Sequence, residues 1–186
     1  MNTETTDETA TVGKLHVFSL YADFEASKRA RRAAEAITRF VGRYWRVSSE
    51  MWKLDAATAG QSIGSLMIND AANADVLIVA VSSLDSRPVE LIPWFDVLET
   101  PKPGLGYSGL LIGLLGDEQR RTEESAWMVK QLIRCAQKTN RDLVWRWMEP
   151  EAQNDFTWLN ENVNMLLARK QIPHENHEAR EEIRAV

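Results

Sequence analysis

Cysteine is almost missing from this chain of 186 residues, because Cys135 is its only thiol. One cysteine cannot form a disulfide within the chain, and chains without disulfides are typical of reducing compartments. Cys135 also falls in the middle of a helix-like pattern, with no catalytic histidine pattern beside it. The sequence therefore favours a small buried side chain at this position over a catalytic nucleophile.

Long apolar runs and targeting signals are missing as well. No stretch approaches the roughly 18 consecutive apolar residues that a membrane-spanning helix needs. Residues 1–13 are polar and acidic, without the basic and apolar regions of a secretory signal. We therefore expect a soluble, cytoplasmic protein with no membrane partner. Residues 1–13 and 172–186 have little apolar surface to bury, so we expect them to be disordered tails of a single domain at 14–171.

An excess of positive charge is also missing. The chain has 22 Lys and Arg against 27 Asp and Glu, a net charge of −5, which argues against a nucleic-acid partner. The region 14–53 is an exception, with nine basic and four acidic residues. Its basic side chains on one helix-like segment include Arg29, Arg32, Arg39 and Arg43. They form either a solvated helix face or a surface for an acidic partner.

Histidine is scarce, with three in the chain. His16 falls inside a strand pattern, where a structural role is the better interpretation. His174 and His177 lie three residues apart but have no third ligand near them in the sequence. The sequence therefore predicts no metal site.

An alternation of strand-like and helix-like patterns is the main positive signal. Short apolar runs predict strands at 15–21, 44–54, 75–81, 110–115 and 143–147. Amphipathic patterns predict helices at 23–44, 59–74, 90–100, 122–139 and from 155 onwards, with Asp23, Thr122 and Asp155 as N-caps. Leu143, Trp145 and Trp147 alternate along the last strand, so we expect them to pack together under a helix.

Five strands alternating with five helices predict βαβ units, and therefore a doubly wound five-stranded parallel sheet of the Rossmann-like type. The run 75–81 is apolar on both faces, as a strand covered by helices on each side must be. The commonest order for five such strands is 2-1-3-4-5. We take this order as the expected one.

A glycine motif at 104–109 has the residue spacing of a nucleotide-binding fingerprint but not its structural context. Gly104, Gly106 and Gly109 have the G-x-G-x-x-G spacing. The fingerprint needs its glycines between a strand and the start of a helix, where helix amides meet the pyrophosphate. Here they follow a predicted helix and precede a predicted strand. We therefore interpret the motif as a connection between these elements.

The pattern at 14–170 resembles that of flavodoxins and of response-regulator receiver domains. Flavodoxins follow their first strand with a Gly- and Ser/Thr-rich loop that wraps the FMN phosphate, whereas this chain has Ala22-Asp23-Phe24-Glu25-Ala26-Ser27, with two carboxylates and no glycine. Receivers end their third strand in a phospho-accepting Asp, whereas the third strand here ends in Val81-Ser82-Ser83. The resemblance thus implies a flavodoxin-like three-layer sandwich without either family's site.

Two short stretches add to this resemblance. Residues 49–53 (Ser-Glu-Met-Trp-Lys) and 70–75 (Asp-Ala-Ala-Asn-Ala-Asp) are similar to small bacterial flavodoxin-like proteins of unassigned function. This similarity supports the fold and identifies no cofactor. A flavin remains the cofactor that the fold would suggest, although the usual phosphate loop is absent.

The fold itself predicts where a ligand would bind. In open α/β sheets, ligands bind beyond the carboxyl ends of the strands, where the strand order reverses. For the order 2-1-3-4-5, this crevice lies between the loops after the first and third strands. Polar groups there would orient a polar ligand; they are Tyr21, Asp23, Glu25, Ser82, Ser83, Asp85, Ser86 and Arg87. Alternatively, Asp23 and Ser86 are helix caps, Arg87 is solvated and the serines bond local backbone groups.

These observations leave two interpretations of function open. The first is a non-catalytic binding or regulatory interaction module for a protein partner or a small polar ligand. It is favoured because each candidate nucleophile, metal or phosphate motif lacks the neighbouring residues or elements that its chemistry needs. The second is an enzyme or a flavin- or nucleotide-binding protein that uses the crevice between the first and third strands. No catalytic residue is identified in either case. If Trp94 and Phe95 project from the helix at 90–100, a homodimer is expected to bury them.

Overall fold

A computed structural model describes residues 13–55, 61–82, 95–96, 109–116, 123–148 and 155–171. All structural statements below concern these residues. Nearly all of the predicted tails, most of the predicted helix at 90–100, Thr122, Gly104 and Gly106 lie outside them. Within the described ranges, no helix combines the length and apolar character that crossing a membrane requires.

In the described residues, strands and helices alternate as the sequence predicts, except between β3 and β4, where only Phe95 and Asp96 are described. The strands are β1 (Gly13–Tyr21), β2 (Trp45–Lys53), β3 (Val76–Val81), β4 (Gly109–Leu115) and β5 (Arg141–Trp147). The helices are α1 (Phe24–Val41), α2 (Gln61–Asn73), α3 (Glu123–Thr139) and α4 (Leu159–Gln171). Phe95 and Asp96, the described part of the predicted helix at 90–100, are also helical.

The five strands form one parallel sheet in the order β2-β1-β3-β4-β5. This confirms the predicted doubly wound topology and the predicted strand order. Parallel neighbours require crossover connections, which the helices provide, and right-handed crossovers place helices on both faces of the sheet. The order reverses between β1 and β3, because the chain first adds β2 on one side of β1 and then β3 on the other.

The sheet separates two apolar cores. The first core lies under α1 and α4, and the second core lies on the opposite face under α2, α3 and Phe95. β3 and β4 are buried along their whole length and contribute alternate side chains to each core. Ile78, for example, packs in the first core and its neighbour Leu77 in the second. This double burial explains why the run 75–81 is apolar on both faces.

Asp75 ties the first strand to the last helix at the amino-terminal end of the sheet. Its carboxylate accepts from the backbone N–H of His16 (2.8 Å) and from Nζ of Lys170 (2.5 Å). Lys170 also donates to the carbonyl of Lys14 at 3.1 Å. α4 is therefore fixed against β1 and β3 by polar contacts as well as by the first core.

Gly109 begins β4 because the backbone there leaves no room for a side chain. Its φ is +120°, and a Cβ on it would lie 2.1 Å from the carbonyl oxygen of Asp75. The next residue, Leu110, donates its N–H to that same carbonyl at 2.8 Å. The last glycine of the fingerprint-like motif thus has a structural role at a strand start, in line with its interpretation as a connection.

Two local expectations are wrong, and the condition for a dimer through Trp94 and Phe95 is not met at Phe95, while Trp94 lies outside the described residues. Phe95 does not project into solvent: it is 1% exposed and packs in the second core, because its short helical segment lies over the sheet. Trp145 is 41% exposed instead of covered, because β5 is the last strand of the sheet. Asp155 does not cap α4 directly. It accepts from the N–H and Oγ1 of Thr157, closing a turn before the helix begins at Leu159.

Candidate functional site

The candidate site is the switch point, where the carboxyl ends of β1 and β3 lie side by side. The pairing of these strands runs to Tyr21 and Ala80, and the N–H of Ala22 extends it by donating to the carbonyl of Ala80 at 3.0 Å. The chain then turns at Asp23 into α1, while β3 ends at Val81 and leads to Ser82. Polar side chains that follow both strands therefore lie close together at the carboxyl-terminal end of the sheet.

Asp23 caps α1 and also joins the two strand ends through hydrogen bonds from Ser82. Its Oδ1 accepts from the N–H of Ala26 (2.9 Å) and from Oγ of Ser82 (2.5 Å). Its Oδ2 accepts from the N–H of Ser82 at 3.2 Å. The side chain is thus the N-cap of α1 and also a bridge to the end of β3. Both carboxylate oxygens are engaged by the protein itself.

These contacts set the protonation state of Asp23. Partial burial acts to raise the pKa of its carboxyl. Hydrogen bonds from the Ser82 hydroxyl and from the backbone of Ala26, Ser82 and Glu25 outweigh burial, so the pKa lies below its ordinary value of 3.8. Asp23 is therefore ionised at neutral pH. A negative charge is also favoured here by the positive end of the α1 dipole.

The first turn of α1 adds a second carboxylate and an exposed aromatic ring. Glu25 pairs with Lys28 at 2.6 Å between Oε1 and Nζ. Phe24 is 74% exposed, and Nζ of Lys28 lies 5.0 Å from the centre of its ring. The amino end of α1 thus carries Asp23 and Glu25, with a single lysine compensating the second of them.

The backbone of Gly116 lies close to the carbonyl group of Ser82. It follows β4, and a Cβ on it would lie 2.0 Å from the carbonyl oxygen of Ser82. The end of β4 therefore approaches the end of β3 too closely for any side chain. Ser82 is held between Asp23 and Gly116, which fixes the described part of the switch point.

The structure brings together two of the predicted site residues. Asp23 and Ser82 are in direct contact, whereas Tyr21 packs against the first core and Glu25 is occupied by Lys28. Ser83, Asp85, Ser86 and Arg87 lie outside the described residues. Ligand binding at this place thus stays a prediction, and the capping role of Asp23 is observed. Sequence analysis missed Gly116, for which a glycine directly after an apolar strand was the available signal.

His16 and Cys135, two further residues that the sequence analysis considered, lie in β1 and α3. His16 is partly buried in β1, with Nε2 3.8 Å from Oε1 of Glu50. Cys135 is fully buried in the second core. In the described part of the chain, no three His, Cys, Asp or Glu side chains are grouped as a metal site would require.

The basic segment of α1 is divided by burial. Arg29 is buried, so it is unavailable to an acidic partner. Arg31 forms an exposed pair with Glu35 at 2.9 Å, and Arg39 and Arg43 are exposed at the far end of the helix. The surface predicted from the charge count is therefore smaller than the sequence suggests.

Comparisons with known proteins identify the fold. Neither protein-family models nor curated proteins gave a match. Among solved structures, a short-chain flavodoxin associated with a bacterial microcompartment is similar over 83% of this chain and 98% of its own, with a TM-score of 0.53 and 14% identity. A mutant flavodoxin from Pseudomonas aeruginosa is similar over 83% and 95%, with a TM-score of 0.44 and 14% identity. The first similarity and the strand order together give this chain a flavodoxin-like α/β fold.

Proposed function

We propose that this chain is a non-catalytic binding or regulatory interaction module that does not hold FMN at the start of α1. The observation that carries the proposal is the Asp23 carboxylate, which fills the amino end of α1 and bonds to Ala26 and Ser82. The protein thus supplies its own anion at the position where the fold suggests a ligand phosphate.

The residues present do not fit a phosphate at this position. Phosphate binding at a helix start depends on free N–H groups and on the positive end of the helix dipole. Here the N–H of Ala26 is taken by Asp23, and Glu25 brings further negative charge into the first turn. A phosphate would have to displace Asp23 from Ser82 and lie beside two carboxylates. The loss of the hydrogen bonds from Ser82 opposes the first step, and repulsion between like charges opposes the second.

Asp23 is also a poor candidate for acid–base chemistry. A general acid or base works best when its pKa lies near the operating pH. Hydrogen bonding shifts the pKa of Asp23 in the opposite direction, below 3.8, and both of its oxygens accept bonds from the protein. These properties support a positioning role at the switch point and a non-catalytic module.

Flavin content tests the proposal. Freshly purified protein should show no visible flavin absorbance and no FMN-sized adduct in native mass spectrometry, and it should not quench FMN fluorescence saturably. Asp23→Asn keeps an N-cap acceptor but removes the charge, so it should bind inorganic phosphate more tightly than the wild type. A wild-type protein that copurifies with FMN, or binds it as tightly as the variant does, contradicts the proposal.

The second candidate is an enzyme or a flavin- or nucleotide-binding protein, and the flavodoxin-like fold favours it. Its ligand would have to use side chains other than the α1 amides, namely Tyr21, Ser82, Ser83, Asp85 and Arg87 beside Asp23. If native mass spectrometry detects a copurifying polar ligand, Arg87→Ala should weaken it. Arg39→Ala, at the exposed far end of α1, should have no effect and is the matched control.

A further inference from the structure

We propose that β5 pairs antiparallel with β5 of a second copy, which gives a two-fold dimer with one continuous sheet. Among the strands that the structure describes, β5 is the last of the sheet, so one of its sides faces away from the other four. A free strand edge is a template for pairing with another chain unless charge, proline or a bulge protects it. The inference goes beyond the proposed function and is independent of the switch point.

The side chains of the two sheet edges differ in character. β2, at the opposite edge, exposes polar and charged side chains, namely Arg46, Ser48, Ser49, Glu50 and Lys53. β5 carries charged side chains as well, but among the described strands it alone has a large apolar side chain that is exposed, Trp145 at 41%. Its other apolar side chains pack against the two cores, as those of β2 do. Charge alone therefore does not distinguish the two edges, whereas the exposed Trp145 gives β5 apolar area for a partner to bury.

The sequence of β5 is complementary to itself when two copies run antiparallel about Val144. This register places Asp142 opposite the partner's Arg146, and Leu143 opposite the partner's Trp145. Because of the two-fold axis, each pair occurs twice. Directly opposite side chains in an antiparallel pair have Cβ atoms about 4.5–5.5 Å apart, within reach of ion pairing and apolar contact. Charge and apolar complementarity therefore agree on a single register and a single partner.

Both charged side chains lie on the face of the sheet that this register needs. Asp142 pairs with Arg169 of α4 at 2.5 Å, and Cζ of Arg146 lies 5.8 Å from the centre of the Trp158 ring. Both contacts are on the first-core side, so the partner's Arg146 would join Asp142 and Arg169 in a three-charge group. Such networks contribute more than isolated surface pairs.

α3 extends the apolar surface on the other face. It packs against β4 and β5, and its exposed Ile133 is on the same side of the sheet as Trp145. A two-fold axis through Val144 brings α3 of each copy toward the other. The pairing thus buries more than one strand, as a stable homodimer requires.

A charge exchange tests the dimer in solution. Wild-type protein should sediment as a dimer at micromolar concentration. Asp142→Arg places two arginines opposite each other, and Arg146→Asp places two aspartates opposite each other. Each single variant should therefore raise the dimer dissociation constant by about tenfold or more, because like charges across an interface repel strongly. The double variant D142R/R146D restores opposite charges and should dimerise again.

Two sets of control variants distinguish a loss of contacts in the dimer interface from a loss of stability of the fold. Arg169→Ala removes one ion pair of Asp142 within the chain but leaves the partner's Arg146, so it should remain dimeric. Val144→Cys places a thiol on the two-fold axis and should form an intermolecular disulfide on oxidation. Ser49→Cys, in the middle of β2, should not, and Cys135 is too buried to compete.

Three outcomes would overturn the inference. They are a monomeric wild type, dimerisation of the single charge variants at wild-type strength, and cross-linking through Ser49→Cys in preference to Val144→Cys. Circular dichroism identifies a charge variant that fails to fold. In that case, the comparison of cross-linking through Val144→Cys and Ser49→Cys tests the interface. A flavin-loaded protein that still dimerises through β5 would contradict the proposed function and leave this inference intact.

Discussion

Asp23 combines three roles that a single carboxylate can fill only at a strand–helix junction. It caps α1 through Ala26, links β1 to β3 through Ser82, and places a negative charge at the positive end of the helix dipole. Each contact uses the ionised form. The side chain therefore stabilises the fold where the fold suggests a ligand.

Replacement of Asp23 by alanine should make this contribution measurable through its pH dependence. The pKa of Asp23 is lower in the folded chain than in the unfolded chain, so its stabilising effect is present above pH 3.8 and is lost as the pH falls through the folded pKa. At neutral pH, Asp23→Ala should lower the free energy of unfolding by about 1–2 kcal/mol. In urea titrations, the difference from wild type should shrink below pH 3.8. A difference that stays constant with pH would contradict this account.

Sequence analysis predicted part of this site for a physical reason. A helix cap depends on neighbouring residues, so Asp23 was recognisable from the pattern that follows it. Its bond to Ser82 joins residues 59 positions apart and depends on which strands are neighbours. The close approach of Gly116 to Ser82 depends on the spacing of β3 and β4, which local sequence does not encode.

At the scale of elements, a buried arginine completes the carboxyl end of α2. This helix has no basic residue in its last turn, and its final carbonyls need donors. Arg141, at the start of β5, donates from one guanidinium nitrogen to the carbonyls of Ala71 (3.1 Å) and Ala72 (3.2 Å). A strand distant in sequence therefore caps a helix across the second-core face.

The two arginines of this region should respond differently to substitution. Arg141→Met removes the guanidinium from both carbonyls, although the carbonyl of Ala71 still accepts from the N–H of Ala74 at 3.3 Å. The loss should lower the free energy of unfolding by about 1–3 kcal/mol. Arg169→Ala removes an exposed pair with Asp142 and should cost between about 0 and 1 kcal/mol. Chemical denaturation of both variants measures this contrast. Equal losses would mean that Arg141 does not cap α2.

Predictions of helices and strands were right where the spacing of apolar residues determines the element. They were wrong where contacts with distant parts of the chain determine burial or the helix start. The helical spacing of small apolar residues identified α1, and the continuous apolar run identified β3. Periodicity does not reveal whether a strand is at an edge, so Trp145 was wrongly expected to be covered. Likewise, the turn closed by Asp155 resembles a helix start in sequence, but α4 begins at Leu159.

For the molecule as a whole, the central strands make the two cores depend on each other. β3 and β4 supply side chains to both faces, so damage to either strand disturbs both cores. The strand order itself was expected from the commonest arrangement of such sheets, because pairing between distant strands has no local signal. The observed order agrees with that expectation.

A charge in β3 should therefore prevent folding of the entire domain. Ile78 is fully buried in the first core, and an aspartate there would have neither water nor a charged partner close by. Ile78→Asp should show no cooperative unfolding transition by circular dichroism. Met165→Asp, on the exposed face of α4, should change the free energy of unfolding by no more than about 0.5 kcal/mol. A cooperative transition in Ile78→Asp would place β3 elsewhere.

The ion pair between Lys170 and Asp75 has a consequence for the synthesis of this protein on the ribosome. Lys170 also reaches the carbonyl of Lys14, so the end of the last helix closes on the start of the first strand. Until α4 has left the exit tunnel, one of the two helices that cover the first core is absent from the nascent chain. Until then, the part of the apolar face that α4 covers stays exposed on the strands made earlier, and exposed apolar surface of this kind is what chaperones bind. Completion of the first core therefore has to wait for α4.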